Sequence, residues 1–434
     1  MINSAKNNPI LNSITGFDAH CHIFNVGFAL REIKAMFFDW VIGKYPTEEK
    51  SFNKSKEEQV KSKIKFRNKL FRMIELLSST VRPEKSNLKF IRSQVNDAWN
   101  ISTGAIPLMM DIYYIFAPPV CEGDVEILIS KDIGGQNIHL DEKEFEEEFA
   151  KGINEFAGKL KERNKNLSDF GDFASELDRH VEECINDFEY KYETKTALYG
   201  NLKMTSGYRF HMERLKKMVL EGQPIFPFFA GDPRRVGILD ALKNEKLIGH
   251  KGPFYGIKLY PRLGYHPKSK PVQDMLKICL ERNLPVITHA GMGGFPPKDF
   301  NFDDSGSWKY NDYGNPEHFE EFLKKGLRID FAHLGSTDPS FKWARTIVDY
   351  MEKYKNVYSD LSCYTSREEL KNIIDLFGDH STFKERIMYG SDFDVMYFTD
   401  KSISLEQYCR NFSELFPEEI ENMRYRNVVN FLNF

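Results

Sequence analysis

After residue 205 the chain falls into a regular rhythm. Short apolar segments recur at Pro224–Ala230, Phe254–Tyr260, Leu284–His289, Leu327–His333, Asn356–Leu361 and Arg386–Ser391, and helical stretches separate most of them. Strand followed by helix, repeated, calls for parallel strands with both faces covered, because a parallel neighbour is reached only through a crossover. Two further apolar segments lie upstream, Ile14–Phe24 and Ile106–Phe116, which brings the strand candidates to eight. Eight such units close into a barrel. An open doubly wound sheet is disfavoured, since no Gly-x-Gly-x-x-Gly follows an early strand.

The helical punctuation agrees. Val272, Met275, Leu276 and Cys279 form one apolar face, and Phe341, Ala344, Ile347, Val348 and Met351 another. The second is expected to start at Asp338 as N-cap with Pro339 in the first turn. Ser366 and Glu369 have capping-box spacing ahead of Leu370, Ile373, Ile374 and Phe377. The last helix is expected from Pro417 toward Phe431. The expected fold is therefore a distorted α/β barrel of the (β/α)8 TIM type, a single unit over residues 1–434. Helical insertions follow its first and second strands, at 28–100 and 117–205. The first has apolar residues at three and four spacing over Ile64–Leu77. The second, dense in Glu and Lys from Asp141 to Tyr192, reads as solvated helices with one apolar stripe.

Composition narrows the function classes. Sixty basic residues against sixty-four acidic ones leave a formal charge of −4, which gives no general electrostatic reason to bind nucleic acid or anionic membrane. The six cysteines form no Cys-x-x-Cys pair, so neither a disulfide framework nor a thiolate zinc knuckle is expected. Met1–Ile10 lacks an apolar core of a secretory signal, and no apolar run approaches the roughly 18 residues needed to span a bilayer. A cytoplasmic protein acting on a small molecule is expected.

The chemistry sits where strands end. The first strand ends Asp18-Ala-His20-Cys-His22, and residues two apart on a strand face one side. His20 and His22 can thus offer two imidazoles to one cation. The fifth strand ends at His289, the sixth at His333, and the eighth runs into Asp392. Only eleven histidines occur in the chain, and four stand at these positions. Barrel active sites are built at this carboxyl end from several strands. The expected ligand set is His20, His22, His289 and Asp392. Imidazole and carboxylate suit one divalent cation, zinc first, with manganese, iron or nickel as alternatives. Such a cation would acidify water and polarise a carbonyl. Asp392 would hold that water and take its proton, and His333 would bond the carbonyl oxygen or shuttle a proton.

Lys258, inside an apolar strand, is costly to bury unpaired. It either meets a substrate carboxylate or developing oxyanion, bridges a second metal as a carbamate, or reaches a structural partner. Tyr260 and Arg262 follow it as substrate contacts. Arg234, or Arg235, fits an anionic substrate group or a structural ion pair. Asp360 either orients a ligand or caps its loop. The glycines of His289–Pro297 allow close approach to a ligand, but no phosphate loop is present.

These motifs resemble the amidohydrolase superfamily, and within it the amidohydrolase-related branch that includes aminocarboxymuconate semialdehyde decarboxylases. The resemblance is carried by Asp18-Ala-His20-Cys-His22, Gly256-Ile-Lys258-Leu-Tyr260-Pro261, Thr288-His289-Ala-Gly291, Ala332-His333-Leu-Gly335, Tyr389-Gly-Ser-Asp392 and the ending around Asn427. It covers residues 14–24 and about 224–434. It implies a metal held by His20, His22, His289 and Asp392, with His333 beside it. The Lys258 strand is also similar to the modified-lysine strand of dihydroorotases, but Arg262-Leu-Gly-Tyr265 replaces the run that would follow. The main expectation is a metal-dependent hydrolase of an amide, lactone or related carbonyl in a small carboxylate-bearing substrate. The alternative is a non-oxidative decarboxylase of an unsaturated or aromatic acid. A third reading is a non-enzymatic barrel whose insertions bind a partner. The insertions are expected to cover the mouth or carry contacts within a homo-oligomer.

Overall fold

The computed structural model describes residues 10–23, 26–41, 84–117, 119–125, 170–186, 199–292, 312–336, 340–393 and 403–433, with isolated positions between 150 and 165 and at 310, 395 and 396. Its strands are β1 (Gly16–Cys21), β2 (Thr103–Pro107), β3 (Phe228–Ala230), β4 (Gly256–Leu259), β5 (Val286–His289), β6 (Ile329–Ala332), β7 (Val357–Asp360) and β8 (Ile387–Met388). β1 pairs with β2, and β3 to β8 pair in sequence order, all parallel. Main-chain hydrogen bonds complete the ring. Ala105 donates to Pro224 and Phe226 to Ala105, at 2.9 Å each, joining β2 to β3; Ala19 donates to Tyr389 at 3.0 Å and Asp392 to His20 at 2.7 Å, joining β1 to the chain after β8. The result is a distorted (β/α)8 barrel.

Between β3 and β8 the crossovers are α5 (Ile238–Lys243), α6 (Lys270–Glu281), α7 (Glu320–Leu323), α8 (Lys342–Lys353), and the pair α9 (Arg367–Phe377) and α10 (Ser381–Arg386); α11 (Leu405–Leu415) and α12 (Asn427–Leu432) follow β8. The amphipathic faces are buried as their spacing predicts, Val272, Met275, Leu276 and Cys279 among them. The capping box at Ser366 and Glu369 is present. α12 closes the floor: Val428, Phe431 and Leu432 pack with Phe17, Phe228, Ile287 and Tyr358.

Helices of the two insertions lie outside the ring. α1 (Val26–Val41) packs on α3 (Phe170–Asn186) and α4 (Ser206–Leu220), and α2 (Glu84–Trp99) packs on α11 and β2. Leu177, Val181 and Cys184 of α3 are its buried stripe. The apolar repeat over Ile64–Leu77 lies outside the described residues, as do most of the charged tract before α3. Among the described residues no helix is long and apolar enough to cross a membrane.

Boundaries differ from the sequence reading at three places. The last helix does not start at Pro417, since α12 is Asn427–Leu432 and follows a π-helical turn over Asn422–Arg426. The second strand is Thr103–Pro107, and Ile112–Phe116 is a 3-10 turn instead of its continuation. Asp111, which begins the turn, is held by both Arg235 Nε and Nη2 at 2.6 Å. α8 starts at Lys342, after Phe341 in the left-handed region; the expected N-cap Asp338 and Pro339 lie outside the described residues.

Candidate metal centre

The carboxyl ends of β1, β5, β6, β7 and β8 deliver a buried cluster of imidazoles and carboxylates. A register shift in β1 between Asp18 and Cys21 marks the end of its regular pairing. Asp18 ties this end to β8, accepting from Ser391 N at 2.9 Å and Ser391 Oγ at 2.5 Å. Gly390 passes so close that a Cβ there would lie 2.7 Å from the Cβ of His20. A side chain at 390 would therefore displace the histidine.

His20 Nε2 and His22 Nε2 converge on one oxygen. They lie 3.3 and 3.1 Å from Asp392 Oδ1. His20 Nε2 and Asp392 Oδ1 are buried and make no hydrogen bond. Buried polar atoms are rarely left so unless something else satisfies them. Three donors of the kinds a divalent cation takes thus face one point, so the residues fit the metal that the sequence motifs imply. Within 4.8 Å of mutual separation, His20, His333 and Asp360 form a second such group, and His333, Cys363 and Asp392 a third.

The other nitrogens of these rings are engaged. His22 Nδ1 meets the Leu108 carbonyl at 2.9 Å, and His20 Nδ1 meets Asp360 Oδ2 at 2.8 Å. The other Asp360 oxygen accepts from the backbone N–H of Ser362 at 3.0 Å and of His333 at 3.1 Å, and from Ser362 Oγ. Asp360 therefore both orients a histidine and caps its loop. His289 reaches the cluster through His333, with His289 Nδ1 and His333 Nε2 3.1 Å apart. Among the described residues His289 joins none of the three-residue groups.

Electrostatics here are dominated by burial set against close charges. Burial and the Lys258 charge push the His20 imidazole down, but Asp360 and Asp392 outweigh them and raise it. Burial lowers His22 and takes His333 to about 3. Burial alone would raise Asp392, yet His20 and His22 hold it well below the usual carboxylate range. Asp392 Oδ2 also faces Cys363 Sγ, 2.8 Å away. The Lys258 ammonium is buried and makes no hydrogen bond. Burial lowers its pKa, against the opposing pull of Asp360, Asp392 and Asp330.

The remaining expected residues lie around this core. The Tyr260 ring stands edge-on to His289, with centroids 4.3 Å apart. Arg262 is buried, and burial lowers its pKa. Arg234 is bound to Asp232, with Nη2 2.6 Å from Oδ2, and donates to the Leu263 carbonyl at 3.1 Å. Arg235 is taken by Asp111. Ser362, Cys363, Asp330 and Asp18 were not singled out as site residues from the sequence. The polar run Asp360-Leu-Ser-Cys363 directly after an apolar strand was the available signal for two of them.

The family model described as Amidohydrolase matches residues 192–406. Among solved structures, the chain is similar to a probable 2-pyrone-4,6-dicarboxylic acid hydrolase from Acinetobacter baumannii (13% identity, 51% of this chain and 78% of that one, TM-score 0.37). It is similar also to a 2,6-dihydroxybenzoate decarboxylase from Rhizobium (13% identity, 52% and 76%, TM-score 0.38). A third is an uncharacterized TIM-barrel protein from Bordetella bronchiseptica (14% identity, 64% and 90%, TM-score 0.39). No curated protein gives a significant match.

Proposed function

We propose that this chain, which belongs to the amidohydrolase superfamily, is a metal-dependent enzyme that removes a carboxylate from a small unsaturated or aromatic acid as carbon dioxide. The observation that carries the reading is the convergence of His20 Nε2 and His22 Nε2 on Asp392 Oδ1. His20, His22, His289 and Asp392 would hold the cation. When bound, it supplies polarisation of the substrate's oxygen and stabilises negative charge that develops there.

The chain's own residues divide the remaining work. Lys258 and Arg262, two buried cations on and just after β4, receive the substrate carboxylate and compensate its charge. Tyr260 orients His289 by its ring contact. As the bond to the carboxylate carbon breaks, its electron pair stays on the substrate carbon and a proton must be delivered there. Lys258 is the donor this reading assigns, because burial makes its ammonium readier to release a proton. In the same reading Arg234, held by Asp232, shapes the loop behind Arg262 and does not touch substrate.

Hydrolysis uses the same cluster and is the second reading. It asks Asp392 to accept a proton from water. One Asp392 oxygen faces two imidazoles and the other is held by Cys363, which supports decarboxylation over hydrolysis. The decarboxylase reading uses Lys258 as a free ammonium, which a carbamate bridging a second metal would not leave available. The test is metal analysis followed by a panel of aromatic and unsaturated acids labelled at the carboxyl carbon, run in 18O water. Labelled carbon dioxide with no 18O in the organic product is expected. Incorporation of 18O without carbon dioxide would replace this reading by hydrolysis, and purified, folded protein with less than about 0.1 equivalent of metal after chelator-free handling would remove both.

A further inference from the structure

Resting on the metal-site reading above, we infer that Cys363 is a further ligand of the cation, a thiolate that stands beside His20, His22 and Asp392. Cys363 lies in the loop after β7 and Asp392 in the loop after β8. Main-chain and side-chain contacts hold the two loops side by side. The Leu361 N–H donates to the Met388 carbonyl at 3.1 Å. The Tyr408 hydroxyl of α11 lies 2.9 Å from the Leu361 carbonyl and 3.0 Å from the Gly390 carbonyl, which staples one loop to the other. Cys363 Sγ is thereby brought to 2.8 Å from Asp392 Oδ2. The backbone is bent to the same end. Of the eight non-glycine residues with positive φ among the described ones, three are His333, Cys363 and Asp392, at 67°, 67° and 51°. Such conformations persist only where the surroundings impose them, and they gather at ligand clamps.

Asp392 is shared by two of the donor groups, one with His20 and His22 and one with His333 and Cys363, and in each the donor atoms lie within 4.8 Å of one another. In the second group both His333 nitrogens face other side chains, Nδ1 at 2.7 Å from Ser362 Oγ and Nε2 at 3.1 Å from His289 Nδ1. Sulfur is the donor that this group adds. On the other side of the same carboxylate, His20 Nε2 and Asp392 Oδ1 are buried and make no hydrogen bond. Buried polar atoms in that state call for a partner. Among the described residues no other cysteine enters a donor group. Cys21 faces the Ile106 carbonyl and Cys409 the Tyr389 hydroxyl.

A coordinating thiol is deprotonated outright. As the metal–sulfur bond forms, the Sγ–H bond breaks and its proton leaves to solvent. Asp392 and the thiolate, with one negative charge each, then balance a divalent cation. Asp392 keeps the sulfur against its second oxygen with or without the cation, so its part in the proposed reaction is unchanged. The thiolate is the soft donor of the set, and soft donors favour zinc over manganese or magnesium.

The experiment loads the purified, metal-stripped chain with cobalt(II) and records its electronic spectrum. Wild type is expected to show a near-ultraviolet sulfur-to-cobalt charge-transfer band. Cys363→Ser is expected to lose the band and to bind zinc about 100-fold more weakly, the share of one ligand in a four-ligand site. Cys121→Ser, which removes an exposed thiol, is expected to keep the band. X-ray absorption of zinc-loaded wild type needs no variant, and is expected to show one sulfur at about 2.3 Å beside nitrogen and oxygen at about 2.0–2.2 Å. Bound cobalt without the charge-transfer band, a band that survives in Cys363→Ser, or a zinc shell without sulfur overturns the role of Cys363 and leaves the metal centre standing. Folded wild type that takes up neither cobalt nor zinc overturns both.

Discussion

Replacing His22 by alanine should abolish most of the stability that zinc confers, and the size of the loss can be worked out. Structural four-ligand zinc sites are worth about 10–16 kcal/mol, so one ligand carries roughly 3–4 kcal/mol, a factor of about 100 to 1,000 in affinity. His22 Nε2, 3.1 Å from Asp392 Oδ1, is one of three atoms facing a single point. A ligand that binds only the folded state adds RT ln(1 + [L]/Kd) to stability. With free zinc at 100 times the wild-type Kd, the wild-type gain is about 2.7 kcal/mol. At the same concentration a variant weakened 100-fold has [L]/Kd near one, and its gain is about 0.4 kcal/mol. The assay is urea denaturation of both proteins, each with buffered zinc and with chelator. The difference between the two conditions is read, so any loss from the His22 bond to the Leu108 carbonyl cancels. An undiminished gain in His22→Ala would refute the reasoning, because zinc would then be bound somewhere His22 does not reach.

Other outcomes are expected. Asp111→Ala strands the buried Arg235 guanidinium and should destabilise the protein by about 3–5 kcal/mol in denaturant unfolding, the range for breaking one side of a buried pair. Burial raises Glu32 from 4.5 to about 7 in the folded protein, so between those values the folded state binds a proton that the unfolded state has lost, and this group's contribution to stability falls as pH rises. Glu32→Gln should remove that part of the slope between pH 4.5 and 7, on the order of 3 kcal/mol, as read from denaturation midpoints across the range. Arg262→Ala should raise KM for the acid substrate more than it lowers kcat, whereas Lys258→Met should lower kcat; the reverse pattern in steady-state kinetics would exchange the two roles.

Much of the barrel was legible because its signals are local. β4 to β8 fall inside the apolar segments named from the sequence, and the polar residues at their ends face the centre of the site. Ser366 and Glu369 cap their helix as their spacing predicts. The second strand was misplaced because Ile106–Phe116 is apolar almost throughout, and periodicity alone cannot say where such a run bends. At the bend Asp111 is held by Arg235, from the loop after β3. The donor cluster was half legible. His-x-His at the end of β1 announces a shared face, but that His289 meets His333 and that Ser362 stands between His333 and Asp360 depends on side chains from three strands. No spacing rule encodes it.

The ring of strands has a seam, and the site straddles it. His20 and His22 belong to the first strand, while Asp392 follows the last, with the backbone N–H of Asp392 bonded to the His20 carbonyl at 2.7 Å. Neither half of the chain carries a working set of donors, and the stretch matched by the family, 192–406, lacks both histidines. A cation seated there would act as a clasp, fastening the earliest-made strand to the latest and resisting any breathing apart of the two edges. Catalytic competence and closure of the fold would then be one event.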